Sequence, residues 1–195
     1  MSLILDIFGS VVIAGMLFML IVKLNLFSSQ TSYISDNELK LIQNAKTLAE
    51  IIDYDFRKVG YRHDKSAGSA IKTASSTEFE FYADIDTIGN VKDSIRYWTV
   101  PSSKPGFMIL KRTINVINEM NGPSLGLDSI KFTYLYASHD TIPYADLTTK
   151  ANLDKIKYIK TEMWVKSDYA VKDAYSNDSS YSKTYWEFTI NPRNL

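Results

Sequence analysis

The first sixty residues constrain this chain more than any other stretch, because they read as one helix with two different halves. Residues 7–22, IFGSVVIAGMLFMLIV, contain neither a charged residue nor a proline. A helix that is apolar on every side favours lipid or other apolar helices around it. At about 16 to 20 residues, the segment lies at the short end of the lengths that span a bilayer.

The second half of this helix is amphipathic. Its apolar residues recur at helical spacing with polar residues between them: Leu41, Ile42, Ala45, Leu48, Ala49, Ile52, Phe56 and Val59. Gly60 comes just after this pattern stops, which predicts the end of the helix there. A helix from Ser2 to Val59 would be about 85 Å long, more than twice the thickness of a membrane. We therefore expect most of the second half to lie against a head or against neighbouring subunits.

The composition divides the chain into three parts. Residues 1–27 are the hydrophobic half of the helix, for a membrane or a filament core; residues 28–60 are its amphipathic half; and residues 61–195 are a β-rich globular head. A head of about 130 residues buries a sufficient core without disulfides. The polar patch Ser28–Ser32 weakens the helix because Ser and Thr compete for backbone hydrogen bonds. Three alternatives are open for this patch: it forms a hinge, it is a segment without helical structure, or it is a solvated part of the helix.

The apolar segment is predicted to be retained in the mature protein. A secretory signal carries positive charge before its apolar run and a small-residue cleavage site after it. This sequence shows neither, and it has an acid, Asp6, where a basic residue would be expected. A cleaved signal and a soluble core helix are the alternatives.

Charge and cysteine content exclude several classes of function. Lys and Arg together number 22, as do Asp and Glu, so no net charge favours nucleic acid as a partner. Without cysteine, the chain has no disulfide framework, no cysteine metal site and no thiol nucleophile. His63 and His139 lie in polar stretches without partners at metal-ligand or triad spacing. We predict no enzymatic activity and no cofactor.

Strand signals fill the head in order. The predicted strands are Thr77–Ala83, Ser94–Val100, Phe107–Thr113, Ile130–Tyr136, Ile156–Val165 and Lys183–Ile190. Residues 61–76 and 168–182 are predicted loops. Short connections favour antiparallel pairing, and the predicted fold class is α+β, with the long N-terminal helix packed against one antiparallel β-sheet.

The predicted strands also suggest which faces are buried. Phe79 and Phe81 alternate with Glu78 and Glu80, which indicates one buried and one solvated sheet face. The tryptophans fall on three separate strands, and we expect them to pack on the helix as core or groove residues: Trp98, Trp164 and Trp186.

Two groups in the head are weaker candidate sites. Asp84, Asp86 and Asp93 have the acid-x-acid spacing of a calcium loop, but Ile88 stands where a further oxygen ligand would be needed. A polar turn between strands is the alternative, and we predict no firm metal site. A second group consists of tyrosines in the late loops, and it forms a candidate contact surface for another subunit: Tyr169, Tyr175 and Tyr181.

Several motifs together resemble a known superfamily. The helix closes on Asp55, Phe56 and Arg57, followed by Gly60 and Tyr61. Later pieces follow in order: FEFYADIDTIGNVKDSIRYWTV with ILKRT, then LDKIKYIKTEMWVKS, then the ending TINPRNL. The series resembles the type IV pilin-like superfamily, and most closely PilW-type minor pilins and GspJ-type pseudopilins.

The resemblance implies a structural subunit of a pilus-like or secretion pseudopilus filament. Such a subunit is anchored in the inner membrane before assembly, has an extracytoplasmic head, and joins other pilin subunits in a cell-surface or periplasmic filament. In that family an acid near the mature N-terminus pairs with a neighbour's terminal amine, and once Met1 is removed Asp6 falls close to the place of that acid. Alternatively, Asp6 lies in the water at the edge of the membrane and pairs with no neighbouring subunit.

The family's basic leader is missing from this sequence, so the chain looks like an already mature pilin or one inserted without processing. Two other functions stay open. One is a membrane-anchored extracytoplasmic binding module that does not polymerise. The other is a major subunit of a homopolymeric pilus.

Overall fold

The computed structural model describes residues 2–64, 66, 68–84, 93–115, 118–121, 125–137, 140–172 and 179–195. The helices are α1 (Ser2–Phe56), a 3-10 turn (Tyr144–Asp146) and α2 (Lys150–Leu153). The strands are β1 (Ile71–Ala74), β2 (Glu78–Ala83), β3 (Asp93–Pro101), β4 (Met108–Ile114), β5 (Asn118–Asn121), β6 (Leu127–Leu135), β7 (Tyr158–Lys166), β8 (Val171–Lys172), β9 (Ser179–Ser180) and β10 (Lys183–Ile190).

Helix α1 is continuous and ends at Phe56 rather than at the predicted Val59, which lies in the following turns. The polar patch Ser28–Ser32 is helical, so the hinge and the segment without helical structure are excluded in this structure. There the Thr31 hydroxyl donates to the carbonyl of Phe27 at 2.9 Å, within the helix, and does not break it.

The chain divides into two compact units, one up to Lys40 and one from Leu41 to Leu195. In the second unit, the predicted apolar face of α1 is buried in the core from Leu41 through Phe56, and Val59 is buried beyond the helix end. Ile42 is the exception to the prediction, because it is 47% exposed.

The β-strands form two main antiparallel sheets, not the single sheet predicted. One sheet has five strands in sequence order, β1-β2-β3-β4-β5, and the other has three in the order β10-β7-β6. The antiparallel pairing and the α+β class with a long helix packed on sheets are confirmed. Strand β1 lies inside the predicted loop 61–76, and β5 was not predicted, since both are short. The pair β8-β9 likewise lies within the predicted loop 168–182.

Strand alternation places aromatic side chains in the core as predicted. Phe79 and Phe81 are fully buried, and the Phe79 ring contacts Phe132 and Tyr134 from the other sheet. The opposite face of β2 is less solvated than expected, because Glu80 is also buried. Its carboxylate accepts hydrogen bonds from the Lys72 ammonium at 2.6 Å and from the Ser94 hydroxyl at 2.7 Å.

The tryptophan prediction is wrong for two of the three residues. Trp186 packs against the core, as predicted. Trp98 alternates with the buried Ile95 and Tyr97 and therefore lies on the outer face, half-buried, with Arg96 over its ring at 4.9 Å. Trp164 is 44% exposed and contacts Tyr185 with ring centroids 4.9 Å apart. A tryptophan on a strand fits either face, so its presence does not indicate which.

Candidate assembly and binding surfaces

The apolar segment of α1 is exposed along its whole length. Every residue from Ile7 to Val22 is exposed, and Gly9 and Gly15 have nothing within 4 Å of an added Cβ atom. The most apolar 18-residue window of this helix has a mean hydropathy of 2.4 and is 0% buried. The helix is therefore long and apolar enough to cross a membrane.

Asp6 lies just before this apolar segment. Its side chain is exposed, and no cation among the described residues forms an ion pair with it. The nearby Ser10 hydroxyl donates to the Ile7 carbonyl at 2.9 Å, which satisfies it within the helix. Asp6 thus presents a carboxylate at the edge of an otherwise apolar surface.

Asp55, predicted from the helix-end motif, is buried in an ion pair between α1 and the five-stranded sheet. It is 3% exposed. The Arg112 guanidinium donates to its carboxylate at 2.6 Å, and the Tyr97 hydroxyl donates to the same oxygen. Tyr97 and Arg112 are directly opposite each other in the pairing of β3 with β4. The Asp55 carboxylate therefore connects the helix to both strands.

The surroundings favour the charged form of Arg112 and the neutral form of Tyr97. Burial lowers the pKa of the Arg112 guanidinium, but the hydrogen bond to Asp55 and nearby negative charge outweigh it and raise the pKa overall. Burial and the Asp55 carboxylate raise the pKa of Tyr97 well above its ordinary value, so its hydroxyl stays protonated as a donor. The partners of Asp55 are 42 and 57 residues away in the chain, too far for local sequence patterns to reveal them.

The remaining helix-end residues meet the C-terminal segment. Gly60 has a φ of +75°, and its amide donates to the Tyr82 carbonyl at 2.9 Å. A Cβ atom on Gly60 would lie 2.8 Å from the Asn194 carbonyl oxygen. Tyr61 is adjacent and partly exposed, with the Arg62 guanidinium 5.3 Å from its ring. The Gly-Tyr motif and the Pro-Arg-Asn ending, far apart in sequence, are thus in contact.

Replacing Gly60 with alanine is expected to reduce the free energy of unfolding by about 1–3 kcal/mol. The added methyl group would meet backbone, and the left-handed conformation disfavours it as well. Urea unfolding of the full chain in detergent micelles measures the effect. Gly106→Ala is the control, since Gly106 also has a positive φ of +76°, but an added Cβ atom there would lie 3.0 Å from the Lys166 ammonium and not against backbone. Equal losses in the two variants would contradict a backbone clash at Gly60.

Arg57, the third residue of the helix-end motif, lines a cleft of about 590 Å³. The other lining residues are Lys157, Thr189, Ile190, Asn191, Pro192, Arg193 and Leu195. Arg57 donates to the Asp53 carboxylate at 2.7 Å, and that hydrogen bond raises its pKa. The cleft is therefore bordered by the helix end, the start of β7 and the segment after β10.

Two of the three predicted contact tyrosines come together on one surface. Tyr169 is 69% and Tyr181 45% exposed. Tyr181 packs edge-on against Phe107 with centroids 6.2 Å apart, while the Lys104 ammonium lies 4.5 Å from the Phe107 ring and 5.4 Å from the Tyr169 ring. Tyr175 lies outside the described residues. We call this group, together with Lys166, the aromatic-lysine cluster.

Asp128 forms ion pairs with two lysines, one of which, Lys166, belongs to the aromatic-lysine cluster. Its carboxylate accepts from Lys166 at 2.7 Å and from Lys183 at 2.8 Å. Lys166 is buried, donates also to the Gly106 carbonyl, and lies 4.4 Å from the Phe107 ring. Asp128 thereby fixes one wall of the cluster.

The free energy of unfolding is expected to fall as the pH drops below about 4, and Asp128 supplies part of this loss. Partial burial raises the pKa of Asp128, but the hydrogen bonds from Lys166 and Lys183 outweigh it, and its pKa lies below the ordinary value. Because the folded pKa is depressed, the stabilisation is present above the unfolded pKa and is lost as pH falls through the folded one. Asp128→Asn should cost about 1–2 kcal/mol at neutral pH. The difference from wild type should shrink toward low pH in urea unfolding at a series of pH values; a constant difference would contradict the account.

Two of the three calcium candidates lie among the described residues, on either side of the connection from β2 to β3, where Asp93 pairs with Ala83, the neighbour of Asp84. Asp84 accepts from the Arg62 guanidinium at 3.2 Å, and the buried Asp93 accepts from the Asn115 amide at 2.5 Å. Asp86 lies outside the described residues. Among the described residues, no group of three or more His, Cys, Asp or Glu side chains is arranged to hold a metal ion.

One of the two histidines, His63, lies among the described residues. His63 stacks on Tyr82 with centroids 5.5 Å apart, and its Nε2 atom lies 3.2 Å from the Gly68 carbonyl oxygen. His139 lies outside the described residues. His63 thus packs on a strand and a loop.

No protein-family model, curated protein or solved structure matches this chain.

Proposed function

We propose that this protein is a structural subunit of a type IV pilus-like or secretion pseudopilus filament, similar to PilW-type minor pilins and GspJ-type pseudopilins. Before assembly, α1 anchors it in a membrane; afterwards the apolar half of α1 lies in the helical core of the filament. The head is then presented outside the membrane to other subunits.

The observation that carries the proposal is the complete exposure of the apolar segment from Ile7 to Val22. Each large apolar side chain left in water forgoes about 1.5–3 kcal/mol of burial free energy. Lipid and a bundle of like helices both supply that burial. Because lipid is as apolar as leucine, transfer from lipid to the bundle depends on packing and polar pairing instead.

Asp6 supplies that polar pairing in the proposal. A carboxylate next to an apolar bundle is costly until it meets a cation, so a neighbour's terminal amine would both neutralise it and set the register between helices. The contact of Gly60 with Asn194 also supports the proposal, because it unites two of the motifs that carry the resemblance.

A membrane-anchored binding module that does not polymerise is the second candidate. The exposed aromatic-lysine cluster favours it, since Tyr169 and Tyr181 offer rigid contact area that a soluble ligand or partner can use as readily as a pilin. The two functions predict different fates for the apolar segment, which separates them.

Assembly tests the proposal directly. The chain is expressed with its genomic neighbours, surface filaments are sheared off, and immunogold microscopy and quantitative blotting measure its amount in filaments and membranes. We expect the wild type in filaments and a loss of at least about tenfold for Asp6→Asn. Asp36→Asn is the matched control, because Asp36 is an exposed carboxylate on α1 beyond the apolar segment.

Two outcomes would contradict the filament proposal. One is a chain found only in membranes while its neighbours form filaments, which would leave the anchored binding module. The other is an equal effect of Asp6→Asn and Asp36→Asn, which would remove the specific role of Asp6. Mass spectrometry of the N-terminus in the same fractions identifies the species that assembles.

A further inference from the structure

We propose that the cleft beside the end of α1 is a binding site for a carboxylate group. The cleft has a volume of about 590 Å³, within the range of small-ligand sites. Three cationic side chains line it: Arg57, Lys157 and Arg193. None of the lining side chains is acidic. The inference rests on this geometry and does not require filament assembly.

Strand register explains why the cations meet. Ile190, near the end of β10, pairs with Ile159, near the start of β7. Lys157 precedes β7 and Arg193 follows β10, so the antiparallel pairing places both at the same end of the sheet. Arg57, in the first turn after α1, closes the third side.

The charges in the cleft are not neutralised within it. Arg57 is paired with Asp53, which lies outside the set of lining residues. Lys157 and Arg193 are exposed, and neither forms an ion pair with any of the residues described. Two cationic side chains that form no ion pair with the described residues therefore line one concave site.

The chemistry of the walls favours a carboxylate on a short carbon stem. Guanidinium groups bind carboxylates through two parallel hydrogen bonds, and lysine adds a mobile ammonium donor. Leu195, which is partly exposed, lines the same cleft and supplies apolar surface next to the cations. Thr189 and Asn191 add a hydroxyl and an amide that can bond a second polar group. A Glu side chain of another protein and a free dicarboxylate such as succinate share this chemistry.

Calorimetric titration of the full chain in detergent micelles at low ionic strength tests the site. The probes are acetyl-Glu-Glu-amide, succinate and inorganic phosphate. We expect saturable one-to-one binding of at least one carboxylate probe, weakened by at least about tenfold in Lys157→Glu/Arg193→Glu. The tighter of the two carboxylate probes identifies the source, a protein side chain or a free dicarboxylate.

The control is Lys131→Glu/Lys155→Glu, which makes the same change in net charge at two exposed lysines outside the cleft. It should bind within about twofold of wild type. Should charge reversal prevent folding, judged by circular dichroism, Lys157→Gln/Arg193→Gln replaces it. The proposal is overturned by absence of saturable binding to wild type, by equal weakening in cleft and control variants, or by phosphate binding tighter than both carboxylates.

Discussion

Replacing Asp55 with alanine is expected to lower the free energy of unfolding by about 3–5 kcal/mol, because it leaves a partly buried cation without its carboxylate partner. Arg112 donates to Asp55 at 2.6 Å, and its side chain is only 18% exposed. The Tyr97 hydroxyl loses the same acceptor. A hydrogen bond to a charged group contributes about 1.5–3 kcal/mol, so the two losses together account for the magnitude.

Urea unfolding of the full chain in detergent micelles, followed by tryptophan fluorescence, measures this effect. Trp98 lies on β3 beside Tyr97 and reports on the region where the pair is lost. Asp53→Ala is the control, since Asp53 lies on the same helix and also pairs with an arginine, Arg57, but at the surface. Its cost should stay below about 1 kcal/mol. Similar costs for Asp53→Ala and Asp55→Ala would contradict the structural role of the buried pair.

A double replacement separates the charge from the packing. Asp55→Leu/Arg112→Met removes both charges and fills the space with apolar atoms. Replacing a buried ion pair in this way is often neutral or stabilising. We expect the double variant to be more stable than either single replacement. A double variant that loses the sum of both single costs would show that the two charges do not interact and would contradict the role of the ion pair.

Replacing Phe56 with alanine is expected to cost about 3–5 kcal/mol, the range for removing a buried aromatic side chain. Phe56 is 0% exposed and lies where α1 meets both sheets. Its ring centroid is 4.9 Å from that of Phe79, 5.5 Å from Tyr97 and 5.6 Å from Phe132. These aromatic pairs add about 0.5–1.5 kcal/mol each beyond buried area, and the cavity left by alanine touches both sheets.

The same unfolding measurement tests Phe56→Ala against two matched variants. Phe56→Leu keeps most of the volume and should cost less than half as much as alanine. Tyr54→Ala removes an exposed aromatic residue on the same helix, whose only ring contact among the described residues is Lys58 at 3.8 Å. It should cost about 0.5–1 kcal/mol. A Phe56→Ala cost no larger than that of Tyr54→Ala would contradict the placement of α1 in the core.

Much of the fold could be predicted because periodicity reports burial directly. The apolar spacing in the second half of α1 predicted its buried face, and the alternation in β2 predicted the inward Phe79 and Phe81. Ile42 is exposed because an apolar residue at the margin of such a face fits either side. Strand β1 was missed because its four residues follow a polar, small-residue stretch, and the division into two sheets depends on long-range pairing.

The candidate sites were less predictable, because they too depend on long-range strand pairing. The helix-end motif identified Asp55, but its partners Tyr97 and Arg112 lie on strands whose register no local pattern determines. The cleft that unites Arg57 with Lys157 and Arg193 likewise depends on the pairing of β7 with β10. Tyr169 and Tyr181 were predicted from residue type and loop position alone, and Phe107 at the centre of their cluster was expected only as a strand residue.

The most direct test of the filament proposal asks what surrounds the apolar segment of α1 after assembly. The chain contains no cysteine, so Leu17→Cys labelled with a benzophenone maleimide places a single photo-crosslinker in that segment. Irradiation of sheared filaments, followed by mass spectrometry, identifies the neighbour. The proposal predicts crosslinks to the apolar helices of other subunits. Crosslinks to lipid alone, with the protein confined to the membrane fraction, would contradict it.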